Sequence, residues 1–135
     1  MKTIYITHCS AKKNSIDKGT PDQLYASVKI TRFISRCKQS GVNWAIFSDK
    51  YGLVFPDQVI ENYEKHPSKV TNDEFEKLAE DAFNKLKKYD VVYFYFNPGR
   101  FHKLYRKLID VLISKGINIK EITHLKQINN KEESL

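Results

Sequence analysis

Thr3–His8 alternates β-branched or aromatic residues with polar ones, the pattern of a short strand. A polar segment with three lysines follows, and Pro21 opens a helical stretch running to about Ser40. Its apolar positions Ala26, Ile30, Phe33, Ile34 and Cys37 share one face, and Gly41 is placed to stop it. Asn43–Ser48 reads as a second strand, followed by a long irregular stretch. Thr71 and Glu74 form a capping-box pattern ahead of the stripe Phe75, Leu78, Ala79, Ala82, Phe83 and Leu86, which predicts a helix over 72–88.

Val91–Phe96 is apolar throughout, as expected of a central parallel strand covered on both faces. Asn97 and Pro98 supply a cap and a first-turn proline for a last helix that stops at Gly116. Ile119–Leu125 alternates as an edge-like fourth strand. Strands alternating with helices imply parallel pairing through right-handed crossovers. The expectation is an α/β fold: a three-layer α/β/α sandwich with a mainly parallel four-stranded sheet in the order 2-1-3-4. Residues 1–128 form one domain and 129–135 a frayed tail.

Composition narrows the function classes. With 41% apolar and 29% charged residues, the chain is ordinary for a globular protein. No apolar run approaches the ~20 residues of a membrane span, and the N-terminus lacks a signal-peptide core, so a cytoplasmic protein without membrane contact is expected. Two cysteines and four histidines without ligand spacing predict neither a disulfide framework nor a metal site, and no cofactor is expected. The net charge of +7 favours an anionic partner: a nucleotide, a nucleic acid or another phosphate. Oligomeric state is left open.

In parallel sheets of this kind, ligands bind at the carboxyl ends of the strands. There the first strand delivers His8, Cys9, Ser10, Lys12 and Lys13. The second delivers Ser48, Asp49, Lys50, Tyr51 and Gly52, and the third Asn97 and Arg100. Asp49 and Lys50 are sequence neighbours, so one is free to face the site while the other faces solvent. The plainer reading of Cys9 is a small buried thiol, the sharper one a nucleophile. Arg100, Lys103 and Lys107 form a cationic stripe if they share a helix: either a solvated face or a nucleic-acid backbone track.

These segments carry a resemblance. Cys9-Ser10-x-Lys12-Lys13, Leu24-Tyr25-x-Ser27, Ser48-x-Lys50-Tyr51-Gly52-Leu53-Val54 with Pro56-Asp57 and Tyr63, and Asn97-Pro98-x-Arg100 together resemble the YaaA-like group. They are most similar to its short stand-alone relatives in archaea, bacteria and phages. The resemblance implies DNA binding and a role in peroxide stress. A more distant similarity, through Cys-Ser-x-x-Lys, is to a domain of archaeosine synthase, which implies nucleobase or nucleotide handling.

The resulting expectation is a phosphate and base pocket acting on an N-glycosidic bond or a modified nucleobase. Asp49 is its general acid or base, with Ser10 the second catalytic candidate. Lys12, Lys13 and Arg100 hold phosphate, Tyr25 or Tyr51 stacks a base, and Ser10 and Asn97 read polar edges. Cys9, Ser48, Lys50 and Gly52 complete the binding set. The alternatives are a non-catalytic DNA- or RNA-binding module, a stress-related accessory protein, or an interaction subunit of a larger modification system.

Overall fold

The computed structural model describes residues 1–129. Its centre is β1 (Thr3–His8), buried at every position because it lies between two parallel neighbours. These are β3 (Trp44–Ser48) and β6 (Val91–Tyr95), and β7 (Ile119–Ile122) pairs in parallel with β6. These four strands stand in the order expected from the sequence. A fifth, β4 (Gly52–Val54), folds back antiparallel on β3, so the sheet is mixed, in the order β4-β3-β1-β6-β7. A separate antiparallel pair joins β2 (Lys18–Gly19) to β5 (Ile60–Glu61), which tethers two segments read from the sequence as irregular.

Side-chain alternation along the strands divides the core. Ile4, Ile6, Ala45 and Phe47 meet the apolar stripes of α3 (Asn72–Leu86) and α4 (Lys103–Ser114). Tyr5, Trp44, Ile46 and Tyr93 meet Ile30, Phe33, Ile34 and Cys37 of α2 (Val28–Ser40). Helices therefore pack on both faces of the sheet. Among the described residues no helix is long and apolar enough to cross a membrane.

Several boundaries differ from the expectation, the helix expected over 72–88 ending at Leu86 among them. The stretch from Pro21 is two helices, α1 (Pro21–Leu24) and α2, rather than one. Tyr25 is extended between them and bridges Lys13, while Ser27 accepts from the Ile30 amide and starts α2 afresh. Asn97 caps only a single 3-10 turn, Pro98–Arg100. The last helix starts after it, with His102 Nδ1 accepting from the Leu104 amide. Arg100 thus lies outside α4, and the stripe expected of Arg100, Lys103 and Lys107 is not one helix face. The last strand ends at Ile122, ahead of a 3-10 turn at Leu125–Gln127. The expected tail begins at Asn129, whose carbonyl accepts from the Tyr5 hydroxyl at 3.0 Å, and from 130 onward lies outside the described residues.

The β3–β4 hairpin is held from α3. Leu53 donates its amide to Asp81 Oδ2 at 2.9 Å, and Lys85 Nζ donates to the Leu53 carbonyl at 2.8 Å. Asp81 and Lys85 also pair with each other at 3.0 Å. Gly52 adopts φ +79° beside this clamp, and a Cβ there would collide with the Asp81 carboxylate.

Candidate functional site

β1 leaves the sheet toward α2 on one face, and β6 leaves toward α4 on the other. The point where strand order reverses therefore lies between β1 and β6, and a crevice opens at their carboxyl ends. On the α4 side it widens into a cavity of about 450 Å³. Five of the sequence-derived candidates line it: Cys9, Ser10, Lys13, Asp49 and Arg100. They come from the ends of β1, β3 and β6, which is the convergence of three distant segments that the topology implies.

Asp49 lies at the bottom, 2% exposed. The Tyr105 hydroxyl reaches both of its oxygens, at 2.8 and 3.0 Å. No cation forms an ion pair with it among the described residues. Burial raises its carboxyl above the ordinary range, and the Tyr105 bond, which favours the charged form, does not cancel that effect. A carboxyl in such surroundings is suited to holding and releasing a proton. Lys50, next in sequence, is exposed, with its ammonium over the Tyr51 ring.

Cys9 Sγ accepts from the Asp49 amide at 3.4 Å and lies 3.7 Å from the Tyr105 hydroxyl. Burial first, and the Asp49 charge second, push the thiol up to about 12. It is a thiol rather than a thiolate at neutral pH, which favours packing over nucleophilic attack. Ser10 Oγ is buried and has no hydrogen-bond partner among the described residues. Its hydroxyl is available to a bound molecule.

His8 ends β1 with its ring stacked on Tyr105, centroids 4.1 Å apart. Its Nδ1 lies 2.8 Å from the Cys9 carbonyl, which only accepts, so Nδ1 carries the proton. Nε2 is then an acceptor and takes a hydrogen bond from Lys29 Nζ at 2.9 Å. Burial, reinforced by the Lys29 charge, pushes His8 down to about 3. Lys29, also desolvated, falls to about 8.

The mouth is built by residues the sequence reading did not single out: Glu64, Lys65, His66 and Pro67 from the β5–α3 connection, and His102 at the start of α4. His66 Nδ1 accepts from the Ser68 amide and His102 Nδ1 from the Leu104 amide. Each neutral ring therefore keeps its proton on Nε2, as a donor an anion can use. Lys65 is tied to Glu74 at 2.8 Å, and Lys13 donates to the Ser10 carbonyl while its ammonium lies 4.3 Å from the Tyr63 ring centroid. Arg100 has neither an ion pair nor a hydrogen bond from its guanidinium among the described residues. A histidine two residues before a serine or leucine, at the head of a helical segment, is the one local signal by which these caps could have been found.

The remaining candidates lie elsewhere. Tyr25 is fully buried, its hydroxyl 2.6 Å from that of Tyr63. Ser48 donates to Tyr63 at 2.8 Å and accepts from the Lys50 and Tyr51 amides, fixing the turn that aims Asp49 inward. The Tyr51 hydroxyl donates to the Glu61 carbonyl, and Gly52 serves the hairpin. Lys12 is exposed outside the cavity lining. Asn97 lines a second cavity on the α2 side of the crevice. Among the described residues no group of three or more His, Cys, Asp or Glu is placed to hold a metal ion.

Residues 4–135 match the model of DUF6884, a family of unknown function, and the chain belongs to that family. No curated protein and no solved structure matches it.

Proposed function

We propose that the α4-side cavity binds a nucleotide, with Asp49 as the acid or base in a reaction at the base or its N-glycosidic bond. One observation carries the reading: a buried carboxyl, without an ion-pair partner among the described residues, lies beneath a mouth where the cations of Lys13 and Arg100 outnumber the one carboxylate, Glu64, and His66 and His102 offer Nε2–H donors. A cationic mouth attracts phosphate. A carboxyl raised by burial can protonate a departing base, whose leaving requires a proton, while water adds to the vacated sugar carbon and returns its proton to the carboxylate. The cavity volume falls within the range of about 300–1,000 Å³ typical of small-molecule sites. Ser10 Oγ offers a polar contact to the base or sugar, and the rings of His66 and His102 replace Tyr25 and Tyr51 as stacking surfaces. The motif resemblance to the YaaA-like group and to archaeosine synthase also favours nucleobase chemistry.

The test is calorimetric titration with the four nucleoside 5′-monophosphates, alongside chromatography for released base. The expected result is binding that weakens with salt, plus base release that Asp49→Asn abolishes while binding persists. Binding without release, unchanged in Asp49→Asn, would instead support a non-catalytic nucleotide or nucleic-acid module. No binding of any monophosphate overturns the reading.

A further inference from the structure

The crevice at the β1–β6 reversal does not end at the nucleotide cavity. On its α2 side lies a second cavity of about 500 Å³ whose lining includes Lys29, Arg32 and His124 and contains no carboxylate. Two elements touch both cavities. One is the hydrogen bond from Lys29 Nζ, on the second cavity, to His8 Nε2, on the first. The other is the single turn Pro98–Arg100, which presents Arg100 to the first cavity while Asn97, just ahead of it, lines the second.

The cations of the second cavity are not spoken for. Arg32 is exposed on α2, and among the described residues it has no hydrogen bond or ion pair. By contrast, Arg36, one turn further on, is held by the carbonyls of Ile128 and Lys126, and Lys38 by Asp22. Among the described residues Lys29 has only neutral His8 as a hydrogen-bond partner. Two cations and a histidine around a half-enclosed space, with no acid to balance them, are a receptor for an anion.

We propose that the second cavity is a phosphate subsite of the same crevice, so that the ligand carries two phosphates joined through a sugar, as in a dinucleotide or a single strand. This rests on the reading that the first cavity takes a nucleotide. The base and its sugar occupy the Asp49 side, and the adjoining phosphate passes the His8–Lys29 hydrogen bond to reach Arg32 and Lys29. The Asn97 amide is then available to the sugar or to the phosphate.

Calorimetric titration should compare the four nucleoside 5′-monophosphates with the matching 5′-phosphorylated dinucleotides. The dinucleotides are expected to bind at least tenfold more tightly, and Arg32→Ala to remove that advantage. Equal affinities, or an advantage that survives Arg32→Ala, overturn the subsite. A failure of every monophosphate to bind counts against the nucleotide reading instead. The second cavity is then judged with inorganic phosphate alone, through the NMR signals of the Arg32 Nε–H and the His124 ring. Shifts in those signals that Arg32→Ala abolishes at His124 sustain an anion site there, and their absence overturns it.

Discussion

The single hydroxyl of Tyr105 bridges both oxygens of Asp49, at 2.8 and 3.0 Å, and joins the first turns of α4 to the end of β3. Among the described residues it is the one side-chain hydroxyl bonded to the buried carboxyl. Tyr105→Phe leaves the ring in the core and takes away the donor. The Asp49 carboxyl should then titrate at higher pH still, because the largest of the effects that oppose burial is gone. Carbon-13 NMR of the Asp49 carboxyl reads this directly. Stability should fall by about 1–3 kcal/mol, the range for orphaning a buried polar group. A titration midpoint that moves down would show that Tyr105 does not stabilise the carboxylate.

His8 makes the fold sensitive to acid. The unfolded chain protonates this histidine near its ordinary value of 6.5, whereas the folded chain resists until about 3. Between those limits the unfolded state binds the extra proton, so stability falls as pH falls, with a slope approaching about 1.4 kcal/mol per pH unit. The raised carboxyl of Asp49 acts with the opposite sign just above its ordinary value of 3.8. Urea unfolding at pH 7, 6 and 5 should show the loss, and His8→Gln should flatten it. Equal slopes in the two chains would place the acid sensitivity elsewhere.

Gly52 answers two demands at once, a left-handed backbone and the nearby Asp81 carboxylate. Gly52→Ala should cost about 2–4 kcal/mol, more than a left-handed alanine alone. Adding Asp81→Ala removes the collision but not the backbone strain, so the double variant should lose less than the sum of the two single variants. Strict additivity in denaturant titrations would mean that the collision is relieved by movement of the hairpin.

Neither cysteine should react with iodoacetamide in the folded chain at pH 8. Cys9 is pushed up to about 12 and so is Cys37, in both cases chiefly by burial. Intact-mass analysis should show no adduct until denaturant is added, then two. Rapid modification of Cys9 in the folded state would restore it as a candidate nucleophile.

The parts of the fold that rest on periodicity could be read before the structure. The alternation of Thr3–His8, the apolar run Val91–Phe96 and the Thr71–Glu74 box each depend on neighbours in sequence. The same is true of Asp49 and Lys50, whose adjacency left one free to face the site and the other solvent. What escaped depends on contacts between distant residues. β4 spans only Gly52–Val54, too short for a period to show, and it exists because β3 and α3 receive it. The wall carrying His66 has no apolar rhythm. It is positioned by the β2–β5 pair and by Asn62, whose side-chain amide donates to the Asn14 and Ile16 carbonyls. The division of Asn97 from Arg100 turned on whether the last helix began at Pro98 or Lys103, a choice made by the imidazole of His102.

The clamp that α3 places on Leu53 has a consequence for the company this chain keeps. The margin of a sheet normally presents free amides and carbonyls, an invitation for another polypeptide to add itself as a further strand. At β4 that invitation is withdrawn. The amide and carbonyl of Leu53 are already taken by one acid and one base from the same molecule, spaced one helical turn apart. Asp81 and Lys85 thus stand in for a neighbouring strand, and growth of the sheet through β4 stops with the protein's own side chains.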